Sequence, residues 1–184
     1  MSHARLATPT AASDAPAAAQ PLLAAVHQQL GRVPNLFLLV ASSPAALEGY
    51  LALNAALGKG ELDARTRERI ALAVAELNGC DYCLSAHSYL GTHLAKLDAA
   101  EQAANREGGS GDAKAAAAVR FAASVVRARG HVTDDEVRAV KAAGYSDAQV
   151  IEIVLHVALN TLTNYVNEVA KTEIDFPIVT HRPT

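Results

Sequence analysis

The residues with chemistry to offer lie close together, between Glu68 and His87. Cys80-Asp81-Tyr82-Cys83 is a C-x-x-C motif, and the Asn78-Gly79 pair just before it is a helix terminator. The terminator places Cys80 at or near the start of the next helix. Unpaired backbone N–H groups and the helix dipole there stabilise a thiolate. On that helix Cys80 and Cys83 are i and i+3, near enough to oxidise together. His87 follows Cys83 by four residues on the same face. A neutral imidazole at that position can take a thiol proton, and an imidazolium can stabilise the thiolate. Glu68 lies in the preceding helix, with Ala71, Leu72 and Ala75 at i+3, i+4 and i+7. A carboxylate on so apolar a stripe is costly unless it is paired or used. If the two helices pack as a hairpin, Glu68 can face His87 and polarise it, giving a Glu–His–Cys proton relay.

Three chemistries fit cysteines so spaced: a redox-active dithiol, a zinc site completed by His87 and His93, or two small buried side chains with no reaction to perform. No second ligand pair stands at a standard zinc distance, and the spacing favours the dithiol. No βαβ pattern surrounds the motif, which disfavours a thioredoxin domain.

The elements that must carry these residues read as helices throughout. Alanine fills 40 of 184 positions, aromatic residues make up 4% and Trp is absent, a composition that favours helix over strand. Caps and breakers divide the chain. Pro21 to Leu30 is a short segment closed by Gly31, and Leu36 to Ala41 follows Val33-Pro34-Asn35. Ser43-Pro44 opens a helix to Leu57, and Asp63 opens one to Leu77. The helix of the cysteines runs from about Cys80 to Gly91. Asp98 with Glu101, Thr133 with Glu136 and Ser146 with Gln149 read as capping boxes, and Asp112 opens an Ala-rich helix to Arg129. The last helix runs to about Glu173, and the tail from Asp175 is irregular. The expected fold is all-α, a bundle of eight to ten helices over residues 21–184, preceded by a flexible Ala/Pro-rich arm over residues 1–20. Small side chains bury little area each, so the chain is expected to complete its core by association into a homo-oligomer.

Charge and hydropathy exclude other classes. The formal net charge is −3 with no basic block, which gives nucleic acid no footprint. No apolar run is long enough to span a membrane, and no secretory signal stands at the start. A cytoplasmic chain is expected, in which two cysteines three residues apart do not serve as a structural staple.

The segment Glu68 to Gly91 resembles the AhpD-like alkylhydroperoxidases of the carboxymuconolactone decarboxylase superfamily. The likeness rests on a Glu twelve residues before the first Cys and on N-G-C-x-x-C-x-x-x-H. Val33-Pro34-Asn35-Leu36-Phe37 is similar to the entry segment of the longer peroxidase-related members. Asn160-x3-Asn164-Tyr165-x-Asn167, followed by Asp175-Phe176-Pro177, is similar to their last helix and exit. The resemblance implies a helical oligomer and a thiol-dependent peroxidase acting on organic hydroperoxides or hydrogen peroxide. It implies Cys83 as the peroxidatic thiol, Cys80 as the resolving one, and Glu68 with His87 as the relay. No metal, flavin or haem is implied. A dithiol reductant must reopen the disulfide, and in the family this can be a lipoyl-bearing protein. The best-studied branch has His immediately before the second Cys, whereas this chain has Tyr82. A phenol donates a hydrogen bond but is no near-neutral base; Tyr82 is thus a candidate for the relay or for the pocket wall. The same dithiol could instead serve a slow redox sensor or scaffold, or the helices a zinc-binding module.

The other candidates read as structural. Glu152 and His156 are i and i+4, an incomplete metal half-site and more simply a pair. Asn160, Asn164 and Asn167 form a polar stripe that fits a helix–helix network or a pocket lining equally well. His93 and His131 read as surface residues, and Tyr50, Tyr89 and Tyr145 as core or interface.

Overall fold

Residues 4–183, the part of the chain described by the computed structural model, form nine α-helices and no strand. They are α1 (Gln20–Leu30), α2 (Asn35–Val40), α3 (Pro44–Leu57), α4 (Ala64–Leu77), α5 (Asp81–His93), α6 (Ala99–Arg106), α7 (Ala113–Arg127), α8 (Asp134–Ala142) and α9 (Asp147–Ala170). The expected caps do the starting. Side chains of Ser43, Asp63, Asp98, Asp112, Thr133 and Ser146 each accept a backbone N–H three residues on. Thr133–Glu136 and Ser146–Gln149 close complete capping boxes. Glu101 does not close one, because its carboxylate is turned to Arg69.

The bundle is organised around α4. Its residues Ile70 to Ala75 are all buried, and it packs against α5, α6, α7 and α9 at once. A helix apolar over so much of its circumference has no solvent face to keep. One core cluster joins α4 to α7, α8 and α9 through Ile70, Val74, Phe121, Val140 and Ile153. A second gathers Leu36, Leu72, Leu84 and Leu97 around both cysteines. Each fully buried leucine contributes about 1.5–3 kcal/mol.

Three sequence expectations need correction. The arm over residues 1–20 is not free along its length: Ala12–Asp14 and Ala17–Ala19 are 3-10 turns, with Ala15 and Ala19 buried against Leu23, Leu38, Ala41 and Leu47. Methyl groups so small are poor markers of burial in a sequence, and residues 1–3 lie outside the described residues. Helix α5 continues past Gly91 to His93: Gly91 does not take the left-handed conformation that would end a helix, and it lies buried against Gln102 and Leu97. Helix α9 stops at Ala170, because Lys171 adopts a left-handed conformation.

Candidate dithiol site

The turn between α4 and α5 sets the cysteines in place. Gly79 is left-handed (φ +64°), Cys80 N–H bonds to Ala75 C=O at 3.0 Å and Gly79 N–H to Glu76 C=O at 3.1 Å. This is a Schellman motif, which reverses the chain in two residues. Cys80 thereby becomes the N-cap of α5, where its sulfur accepts the backbone N–H of Cys83 at 3.2 Å. The positive end of α5 is thus directed at Cys80. Cys83 lies in the first turn, and the two sulfurs are paired as a disulfide, with Cα atoms 5.3 Å apart. Cys80 is fully buried and Cys83 retains 3% of its surface.

The hairpin of α4 and α5 brings Glu68 to His87, as the spacing suggested. Glu68 Oε2 lies 2.9 Å from His87 Nδ1, and both side chains are about one-fifth exposed. With Nδ1 engaged by the carboxylate, Nε2 is the nitrogen left to exchange a proton. His87 stands one helical turn after Cys83 on the same face of α5. Two further groups border Glu68. Burial, with the Glu68 carboxylate beside it, pushes the Tyr50 hydroxyl up to about 12. Burial and the Arg67 guanidinium drive His156 down to about 4, against the pull of Glu152 and Glu68. His156 is therefore a neutral imidazole, and its Nε2 is buried without a partner. It does not join Glu152 in a pair: Glu152 instead accepts the backbone N–H groups of Glu61 and Leu62 at 2.9 and 3.0 Å.

Helix α9 supplies a contact that sequence reasoning left open. Asn167 Nδ2 donates to Cys83 Sγ at 3.3 Å, within the core. Asn164 Oδ1 accepts from Asn78 Nδ2 at 2.9 Å, one residue before the Gly79 turn. Asn167 Oδ1 and Asn164 Nδ2 are buried with no protein partner. Of the three asparagines Asn167 thus reaches the dithiol, Asn164 joins α9 to Asn78, and Asn160 bonds back to the carbonyl of His156 in its own helix. The signal was present in the sequence as three amides on the buried side of an otherwise apolar helix.

Tyr82 points elsewhere. Its hydroxyl accepts Leu36 N–H at 3.0 Å and donates to Asp175 Oδ1 at 2.9 Å. Burial, with the Asp175 carboxylate alongside, holds the phenol well above its ordinary range. The tail that follows is irregular, as expected, but it is bound down. Asp175 takes Arg32 and the N–H of Asn35, Val179 N–H bonds to Ser85 Oγ at 2.9 Å, and Asp81 Oδ1 accepts both N–H and Nδ1 of His181. Ile174, Phe176 and Val179 pack on the cysteine cluster. The tail thus forms a strap over the first turns of α5, and its sequence gave no periodicity from which to foresee this.

The remaining candidates stay apart. His93 bonds to the carbonyl of Tyr89 and stacks on its ring at 4.1 Å, so it is not brought to the cysteines. Among the described residues no group of three or more His, Cys, Asp or Glu side chains is placed to hold a metal ion. His131 is exposed, and Tyr145 is buried under Lys114 Nζ, 4.9 Å from its ring. No helix among the described residues is long and apolar enough to cross a membrane.

The family model of the carboxymuconolactone decarboxylase family matches residues 44–124, which include Glu68, both cysteines and His87. An uncharacterized protein of Haemophilus influenzae is 54% identical over 46 residues, 24% of this chain; the chain covers 41% of that relative's length. Among solved structures, an AhpD-core, peroxidase-related protein from Ralstonia eutropha JMP134 superposes with a TM-score of 0.81 at 26% identity, covering 95% of this chain and 94% of its own. A peroxidase-related protein from Silicibacter sp. TM1040 gives 0.80 at 24% identity, covering 92% and 91%. A cysteine-to-alanine variant of the debrominase Bmp8, in complex with 2,3,4-tribromopyrrole, gives 0.79 at 22% identity, covering 94% of each chain.

Proposed function

The chain belongs to the AhpD/carboxymuconolactone decarboxylase superfamily, and we propose that it is a thiol-dependent peroxidase that reduces organic hydroperoxides or hydrogen peroxide through Cys80 and Cys83. The observation that carries the reading is the Glu68–His87 hydrogen bond set one helical turn from a C-x-x-C dithiol.

Cys83 is assigned as the attacking thiol. It faces His87 along α5, it alone of the pair keeps exposed surface, and Asn167 offers its sulfur an N–H donor. His87, oriented by Glu68, takes the thiol proton. The thiolate attacks the O–O bond, Cys83 becomes a sulfenic acid, and the departing alkoxide takes the proton back from His87 to leave as the alcohol. The Cys80 thiol then displaces water from the sulfenic acid and closes the disulfide. The balance is two thiols and one hydroperoxide to one disulfide, one alcohol and one water. A dithiol reductant, which in the family can be a lipoyl-bearing protein, reopens the bond. Homo-oligomerisation and a cytoplasmic setting belong to the same proposal.

A second reading is favoured by the burial of both sulfurs beneath the tail: the same dithiol could act as a slow redox sensor that oxidises once per chain. One experiment separates the two. Reduced protein is given one equivalent of cumene hydroperoxide without oxygen and its thiols are counted; peroxide loss is then followed with dithiothreitol in excess. The peroxidase reading expects two thiols to fall to none, multiple turnovers, and large losses of rate in Glu68→Gln and His87→Gln. A single turnover would favour the sensor. Two thiols surviving the peroxide would overturn both. Release of bromide from a brominated pyrrole, with no peroxide consumed, would move the dithiol to dehalogenation.

A further inference from the structure

The C-terminal tail meets the turn that carries the dithiol, and one of its residues spans Cys80. His181 donates its backbone N–H and its Nδ1–H to Asp81 Oδ1 at 2.8 and 2.7 Å. The Nε2 edge of the same ring lies on Gly79, 3.6 Å from the point that a Cβ there would occupy. Gly79 and Asp81 are the neighbours of Cys80 on either side, and Asp81 is the first residue between the two cysteines. Among the described residues the tail past α9 has no helix or strand of its own. It is held instead by side chains of three helices. Ser85 Oγ on α5 accepts Val179 N–H at 2.9 Å, Glu76 Oε1 on α4 accepts Arg182 N–H at 2.9 Å, and Arg106 on α6 donates to Thr180 C=O at 2.7 Å. The tail thus runs from α5 across the turn to α4, with His181 at the crossing.

We propose that His181 is a positioning residue of the dithiol, which acts through Gly79 and Asp81 to hold Cys80 where it bonds to Cys83. Cys80 occupies that place as the N-cap of α5, with its sulfur accepting Cys83 N–H. The place depends on the left-handed Gly79 and on the first turn of α5, and His181 touches the one and bonds to the other. Docking of the tail and closing of the disulfide therefore restrain the same residues. In the disulfide, residues 80–83 form a closed ring, and Asp81 is already fixed when the tail docks. In the dithiol Cys80 is not tied to Cys83, and docking must order the turn as well. The tail thus binds the disulfide form more tightly, and by linkage it stabilises the disulfide by the same factor. His181 raises the share of disulfide at a given redox poise, and reduction loosens the tail. The Asp81 and His181 side chains are 34% and 40% exposed, which keeps the coupling modest. The inference rests on the cysteines being a redox pair, and not on peroxide as their oxidant.

Equilibration of the full chain with mixtures of reduced and oxidised dithiothreitol, without oxygen, tests it. Dithiothreitol closes its own disulfide as Cys80 and Cys83 become two thiols, two electrons and two protons passing between them, and thiol trapping with mass analysis reads the balance. His181→Ala should move the equilibrium constant toward the dithiol by about fivefold, or about 20 mV. His181→Asn keeps a donor at the position of Nδ1 and should recover part of the shift. Arg182→Ala removes the ion pair with Glu107 at the end of the tail but keeps the backbone N–H to Glu76, and should leave the constant in place. A merely structural His181 would lower the thermal stability of both redox forms alike without moving the constant. Hydrogen exchange reads the reciprocal effect: the N–H groups of Val179, His181 and Arg182 should exchange about fivefold faster in the reduced parent than in the oxidised one. A constant unmoved in His181→Ala, an equal shift in Arg182→Ala, or tail amides that exchange alike in both forms would each overturn the proposal and leave the dithiol chemistry standing. Cysteines that do not exchange with dithiothreitol at all would overturn the redox reading with it.

Discussion

Replacing Tyr82 by Phe tests whether this residue serves the chemistry or the architecture. The phenol oxygen sits 3.0 Å from Leu36 N–H and 2.9 Å from Asp175 Oδ1. Leu36 is the second residue of the six-residue α2, so its N–H has no partner inside that helix. Tyr82 is 4% exposed, which leaves water little room to take over. A buried donor stranded in this way costs about 1–3 kcal/mol. Asp175 loses less, because Arg32 and Asn35 N–H still hold it. The Phe ring keeps the edge-on contact with Phe176 at 5.9 Å. The net expectation is a loss of about 2 kcal/mol, or about 4–8 °C in Tm for a chain of this size.

The assay pairs thermal unfolding of the reduced protein with peroxide consumption well below the transition. Tyr82→Phe should unfold earlier and turn over within about twofold of the parent, since its hydroxyl is engaged by Leu36 N–H and Asp175 rather than by the dithiol. The opposite pattern, intact stability with turnover reduced by orders of magnitude, would refute the reasoning and return Tyr82 to the relay.

Three other outcomes follow from the same geometry. In a Cys80→Ser background, Asn167→Leu removes the donor to Cys83 Sγ and should shift the pH profile of iodoacetamide alkylation upward by roughly one unit; an unmoved profile would mean that the contact does not act on the thiolate. Glu101 is pushed up by burial but held at about 2 by Ser110, Gly111 N–H, Asn105 and Arg69, so the unfolded state binds the extra proton and stability falls as pH drops from about 4.5 through about 2. Glu101→Gln, which leaves the buried Arg69 without its 2.6 Å partner, should cost about 3 kcal/mol in urea unfolding and remove that acid limb. His156 is lowered to about 4, so its contribution is complete above pH 6.5 and is lost as pH falls from there toward 4; His156→Gln should flatten stability across that window, and an unchanged slope would show that the imidazole is not held neutral.

The sequence made the local events legible and the distant ones not. Caps and terminators are short-range physics: Ser43, Asp63, Asp112, Thr133 and Ser146 start helices where their side chains can reach a backbone N–H three residues on, and Gly79 ends α4 because only glycine takes that turn without strain. The Glu68–His87 contact was also legible, since two helices joined by so short a turn must pack side by side. Contacts made by irregular chain were not. Asp175 lies 93 residues from Tyr82, and His181 lies 100 from Asp81, with no periodicity to announce either. The arm is illegible in the sequence for a related reason: an alanine methyl at Ala19 is buried as completely as a leucine, but an Ala-rich segment looks the same whether it packs or not.

Helix α9 shows why one pattern needed the fold to be understood. Read along the sequence, its residues alternate apolar and amide with no obvious inside. Once α4 is seen to occupy one side of it, the two sets separate. His156, Asn160, Asn164 and Asn167 turn inward, where Asn167 touches Cys83 and three polar atoms on this face are left unpaired. The apolar side chains from Ile151 to Val169 are left outside. The inner face is mixed, since Ile153, Val157 and Leu159 are buried there beside the amides, while the exposed side chains of this stretch are apolar. Buried amides left without a protein partner are costly unless water or a reacting group meets them. The packing that sets Asn167 against Cys83 is the same packing that leaves the apolar side chains from Ile151 to Val169 at the surface, a division that the order of residues along α9 does not announce.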